Sequence, residues 1–208
     1  MTSRPRSFAD LFVGTREIKE AYMIIGWIAV NHARLEQHLD YLIWQLEVFD
    51  FAGRRSHRDK SDAEVRELSK QLRHQLKIES SRVEDKLNRI YRHLTTERAA
   101  QRVAEIGQRE HVLSEWSSLS DRIAALPERR NEVIHSAVSW SAGSTTGLLR
   151  KSDWHHDLPH LSLDLKRDEQ LNSDIGAALT KLMEFTTTLT HLLPFKGDLT
   201  IISGVARI

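Results

Sequence analysis

The residues with the plainest chemical content stand in one short run, Pro127-Glu128-Arg129-Arg130-Asn131-Glu132-Val133-Ile134-His135. An imidazole with an ordinary pKa near 6.5 gives and takes protons at neutral pH, and a guanidinium offers phosphate a planar fork of donors. Pro127 suits the opening turn of a helix, where its missing N–H removes no hydrogen bond. At about 100° per residue, Asn131 and His135 then share a helix face, whereas Arg130 lies about 140° from His135 and reaches it only through its long side chain. An Arg in a first helical turn, beside exposed amide donors, is well placed to meet an anion. The plainer alternative is that Arg130 pairs with Glu128 or Glu132 and that His135 is a hydrogen-bonded helix histidine.

A second group, Asp153-Trp154-His155-His156-Asp157 with His160, contains metal-ligand types. Pro159 spoils helical presentation of His156 and His160, and ligand sets need a rigid scaffold, so the stretch reads as solvated loop and no metal is assigned to it. Its Trp and His side chains can stack on nucleic-acid bases. Trp27, Trp44 and Trp116 fall on apolar helix faces and read as packing residues. The run Arg54-Arg55-Ser56-His57-Arg58 reads as an exposed charged turn.

Helices must position these groups. Apolar residues at three- and four-residue steps predict helices over 16–49, 62–94, 97–126, 127–139 and 168–193. In the first, Ile18, Tyr22, Ile25, Ile28, Leu35, Leu39, Leu42 and Leu46 form the core face; the second suits a long hairpin partner. Gly107 marks a local irregularity in the third. In the last, Leu171, Ile175, Leu182, Met183, Phe185 and Leu189 form the buried side, with Asp168 or a neighbour as its opening residue. Between Trp140 and Leu165 the Gly-, Ser- and Thr-rich sequence predicts a long loop or a small β-hairpin. Residues 1–15 read as a mobile N-terminal segment and 194–208 as a C-terminal tail.

Composition sets outer bounds. The 208 residues are 40% apolar and 28% charged with four Pro and nine Gly, which suits one globular helical domain over 16–193. The absence of Cys excludes disulfides, thiolate catalysis and Cys-based zinc sites. The first twenty residues lack the apolar run of a secretory signal, and Ala21 to Val30 is half a membrane span, closed by Asn31, His32 and Arg34. The cytoplasm is therefore the default location, with no membrane partner. A net charge of +1 gives no overall pull toward nucleic acid, but Arg54 to Arg130 holds 18 Lys and Arg against 13 Asp and Glu, an excess that allows an RNA partner.

The run Arg130-Asn131-x3-His135 resembles the motif of the HEPN family: an Arg, four to six residues and a His, commonly with a polar residue directly after the Arg, near the start of a helix. The order of long first helix, helical pair, motif helix, Trp140, turn-rich segment and closing helix is similar too. The resemblance implies an all-α, HEPN-like bundle of about five helices, carrying a turn-rich or small β-hairpin insertion after the motif helix. It also implies RNA as partner and RNA cleavage without metal or other cofactor. His135 would move a proton to or from a ribose hydroxyl or leaving oxygen, Arg130 would balance charge at phosphorus, and Asn131 would orient them. Family sites are often shared between two protomers, so the resemblance implies a homodimer; Glu36, with Asp40 and Glu47 as alternatives, matches the acidic residue such proteins place near the motif. Arg129, Trp154, His155 and His156 are the candidate RNA contacts. A role in a toxin, antiviral or stress system, with an antitoxin or other protein partner, is implied in the same way. Two rivals stand beside this reading. One is a non-catalytic helical dimerisation or interaction module that uses the motif structurally or to bind a nucleotide; the other is a metal-dependent hydrolase built on Asp153 to His160.

Overall fold

Apolar residues recurring every three to four positions from Ala21 to Phe49 wind into one continuous helix, α1 (Arg16–Ala52), in the computed structural model of the chain. The structure describes residues 16–52, 64, 67, 81–134, 137–140, 148–151, 161–162 and 165–193. After α1 come α2 (Val83–Thr95), α3 (Arg98–Glu105), α4 (Arg109–Ala124) and α5 (Leu126–Ile134). Three short strands follow, β1 (Ala137–Trp140), β2 (Leu148–Lys151) and β3 (Leu161–Ser162), and then a closing helix, α6 (Leu165–Leu192). The described residues are thus mainly helical, and the turn-rich insertion carries a small antiparallel sheet in the order β1-β2-β3. No helix among them is long and apolar enough to cross a membrane.

Three element boundaries differ from the sequence expectation, each for a local reason. The helix expected over 97–126 is broken between α3 and α4. Gly107 takes a left-handed φ of 71°, which lets Gln108 N–H reach back to Val103 O at 3.0 Å and Gly107 N–H to Ala104 O at 3.0 Å. That pair of bonds satisfies the last carbonyls of α3 and stops it. The helix expected over 127–139 ends at Ile134, because Ala137 to Trp140 pair with β2 in the register Ala137↔Lys151 to Trp140↔Leu148. A ladder of cross-strand bonds outweighs the weak helical preference of Val138, Ser139 and Trp140. The last helix begins at Leu165, so Asp168 lies in its first turn and does not open it. Of the helix expected over 62–94, the part from Val83 is seen, while most of 62–80 lies outside the described residues, as do the segments 1–15 and 194–208.

The chain divides into two compact units. The first comprises Met1–Ala33 and Ala125–Ala177. Its buried residues include Ala21, Ile24 and Ile28 of α1, Leu126 and Val133 of α5, and Leu171 and Ile175 of α6. Asn31 Nδ2 donates to Asn172 Oδ1 at 2.9 Å, linking α1 to α6. Arg129 meets Asp174 at 2.7 Å and Arg167 meets Glu132 at 2.6 Å. As the number rises from 129 to 132 on one helix it falls from 174 to 167 on the other, so α5 runs antiparallel to the start of α6.

The second unit comprises Arg34–Ala124 and Ala178–Ile208. Leu39, Leu42, Ile43 and Leu46 of α1, Ile90 of α2, Ile123 of α4 and Phe185 of α6 are wholly or almost wholly buried in it. The rings of Trp116 and Phe185 meet at 5.4 Å, an aromatic contact between α4 and α6.

The core face of α1 is turned one residue from the face expected near its start. Ala21 and Ile24 are buried, while Tyr22 is 46% and Trp27 51% exposed. Met183, expected in the core of the last helix, is also exposed, because Leu182 and Phe185 take the inward positions.

Candidate functional site

In the first unit, α5 carries Arg130 one residue beyond its first turn, between two neighbours whose charges are taken. Arg129 Nη1 donates to Asp174 Oδ2 at 2.7 Å, and Glu132 Oε2 accepts from Arg167 Nη2 at 2.6 Å. A hydrogen bond from Gln170, and then Arg129, hold the Asp174 carboxyl below the usual carboxylate range despite some burial. Among the described residues Arg130 pairs with no carboxylate. Its Nη1 donates to Asn131 Oδ1 at 2.7 Å, and its Nε is buried with no hydrogen-bond partner among the described residues. An amide oxygen has no formal charge, so this contact fixes the guanidinium while leaving its positive charge uncompensated by Asn131. The simple pairing of Arg130 with Glu132 does not form.

The structure therefore brings together two of the three motif residues. His135 lies outside the described residues, as do Trp154, His155 and His156. Arg129 is engaged with Asp174. Glu36 belongs to the second unit, where its carboxylate stands 3.7 Å from Lys86 Nζ.

That second unit contains a polar cluster that a scan for apolar periodicity passes over. Lys86 of α2 is 1% exposed, with its ammonium 2.7 Å from Asp40 of α1. Further along, Arg89 directs Nε and Nη2 to one oxygen of Glu47, at 2.9 and 2.6 Å. His93, also buried, has Nδ1 on Asp50 Oδ2, while Nε2 faces Glu47 Oε1 at 3.1 Å, an ion-pair distance outside hydrogen-bonding geometry. Partners rise in number together, 40 with 86, 47 with 89 and 50 with 93, so the described part of α2 runs parallel to α1 and does not return along it as a hairpin arm.

The cluster also closes helix ends. Asp50 Oδ1 accepts the Ala99 N–H at 2.9 Å, doing for the first turn of α3 what its own N-cap, Glu97, does not. Arg98 Nη1 donates to the Phe49 carbonyl at 3.2 Å, in the last turn of α1, and its guanidinium lies 4.8 Å from the Phe49 ring centre.

Burial alone would push the His93 pKa down, but Asp50 and Glu47 outweigh it and raise it to about 8. Burial opposes ionisation of Glu47 as well, yet contacts with His93 and Arg89 lower its pKa to about 2. At neutral pH the cluster is an imidazolium held between two carboxylates. Protonated on both nitrogens, His93 has no lone pair for a metal and almost no contact with solvent, so it is suited to holding helices together and not to proton transfer with a substrate. Among the described residues no group of three or more His, Asp or Glu is arranged to hold a metal ion.

The sequence signal for this cluster is the spacing of Glu47 and Asp50 within the apolar run Leu42 to Phe51, matched by Lys86, Arg89 and His93 at three- and four-residue steps. Comparison with protein-family models, with curated proteins and with solved structures finds no match to this chain.

Proposed function

We propose that this chain is a HEPN-like, RNA-binding protein that cleaves RNA without a metal, acting as a homodimer in a toxin, antiviral or stress system. The observation that carries the reading is Arg130: it is held by Asn131 at 2.7 Å while the adjacent Arg129 and Glu132 are paired with other residues. A positioned guanidinium with a neutral partner is suited to meet a phosphate oxygen and to offset charge that builds at phosphorus. In this reading His135, five residues on, transfers the proton to or from the ribose hydroxyl or the leaving oxygen, and Asn131 orients the Arg. Two copies supply the complete site.

The test is RNA degradation by the purified protein in excess EDTA. His135→Ala lowers the rate by about 10²- to 10⁴-fold, the usual worth of a general acid or base, with unchanged helicity. Arg130→Lys also lowers it, because an ammonium lacks the guanidinium fork. If diverse RNAs stay intact and the His135 variant is indistinguishable from the parent, the catalytic reading fails and the interaction module takes its place.

A further inference from the structure

The ion pair beside the motif is built on a prepared acceptor. Asp174 of α6 takes a donor on each carboxylate oxygen: Gln170 Nε2, one turn earlier on the same helix, reaches Oδ1 at 2.8 Å, and Arg129 Nη1 of α5 reaches Oδ2 at 2.7 Å. Gln and Asp four residues apart share a helix face, so Gln170 holds the carboxylate in place for α5. Both members of the pair are about one-third exposed, where an ion pair adds little to stability. What it sets is direction. Arg129 and Arg130 stand about 100° apart around α5, so tying Arg129 to α6 fixes the side of the helix on which Arg130 stands.

We propose that Asp174 is a positioning residue for Arg130: it withdraws Arg129 from the phosphate and holds α5 so that the Arg130 guanidinium alone is presented. The inference rests on the reading of Arg130 as a phosphate-binding group. Two consecutive arginines would otherwise offer one phosphate alternative placements. Proton transfer by His135 tolerates few of them, since a displacement of about 1 Å can cost on the order of 10²-fold in rate. With Arg129 engaged, the guanidinium that remains is the one whose partner, among the described residues, is the amide oxygen of Asn131.

Kinetics of RNA cleavage by the full chain in excess EDTA test it. Asp174→Asn keeps the shape of the side chain and removes its charge. Its kcat should fall about tenfold with KM within about twofold of the parent and an unchanged urea midpoint. Arg129→Met should do the same, and the double variant should be no worse than either single one, because both break one pair. If Arg129 were instead an RNA contact that Asp174 restrains, Asp174→Asn would tighten RNA binding, and Arg129→Met would raise KM and lessen the salt dependence of binding. Either result overturns the proposal, as does an Asp174→Asn variant with the parent's kcat.

Titration with inorganic phosphate, followed by heteronuclear NMR at the Arg130 Nε–H, separates this inference from the cleavage reading. That signal, assigned by its loss in Arg130→Lys, should move with phosphate in the parent and less than about half as far in Asp174→Asn at the same concentration. If the protein leaves RNA intact yet shows this difference, the cleavage reading fails and Asp174 still positions an anion-binding Arg130. If RNA is cleaved and both measurements ignore Asp174, the positioning role fails and the cleavage reading stands. A parent whose Arg130 signal ignores phosphate, or a variant whose signal follows it as the parent's does, overturns the inference.

Discussion

Arg89 and Arg130 show two opposite uses of a guanidinium. Arg89 spends two of its nitrogens on the Glu47 carboxylate, which also faces a buried imidazolium, and the charges cancel inside the second unit. Arg130, in the first unit, rests on an amide oxygen, and the carboxylate of Glu132, two residues on, is taken by Arg167. The first arrangement converts charge into a fixed relation between helices; the second, among the described residues, fixes a charge against a neutral partner. Charges of the first kind should matter for stability and little for ligands, and the second kind the reverse.

The largest effect should come from His93→Ala. It removes the imidazolium between Glu47 and Asp50 and leaves the Asp50 Oδ2 that it held without that partner in a buried site, and breaking such a group typically costs about 3–5 kcal/mol. Urea unfolding measures this; a loss below about 1 kcal/mol would mean that the cluster is not what fastens α1 to α2.

Next in size is the dependence on pH. His93 has its pKa raised from 6.5 to about 8 in the folded chain, so its contribution is complete below 6.5 and lost as pH rises through about 8. That amounts to about 2 kcal/mol at 1.36 kcal/mol per pH unit. Glu47, lowered from 4.5 to about 2, contributes above 4.5 and loses that contribution as pH falls through about 2. Thermal unfolding midpoints should therefore include a contribution from this pair that is greatest between pH 4.5 and 6.5. A His93→Gln variant should remove the decline between 6.5 and about 8.5.

Arg130→Ala sharpens the comparison from the other side. Unfolding free energy should change by less than about 1 kcal/mol, as for a side chain with a neutral partner. RNA affinity should fall, with a smaller dependence on salt, since one phosphate contact is lost. The smallest effect should be that of Arg167→Ala, which removes an exposed ion pair with Glu132 and should alter stability by about 0.5 kcal/mol or less. If Arg167→Ala were as damaging as His93→Ala, the distinction between buried and exposed charge would collapse.

Much of the helical layout was open to inspection in the residues themselves. The apolar steps through Leu35, Leu39, Leu42 and Leu46, and through Leu87, Ile90 and Leu94, follow the helix repeat closely enough to mark their own buried faces. Gly107 announces the break between α3 and α4, since a left-handed φ suits glycine far better than a residue with a Cβ. Where the apolar residues run on more than one side, as from Ala21 to Val30, periodicity does not choose between Ile24 and Ile25, and the packing of other elements decides.

The motif shows the same division. By itself the sequence determined that an Arg, an Asn and a His stand in one short run, and that this run follows a helix-opening proline. Only the tertiary structure decided that Arg129 and Glu132 are drawn to Asp174 and Arg167 while, among the described residues, Arg130 donates to Asn131. It likewise turned Glu47, Asp50, Arg89 and His93 from scattered charges into one buried cluster. Helix periodicity is a local property, carried by neighbours along the chain. The pairing of charges depends on which residues, thirty-five or more positions apart, are brought within about 3 Å of one another, and a linear sequence does not state those distances.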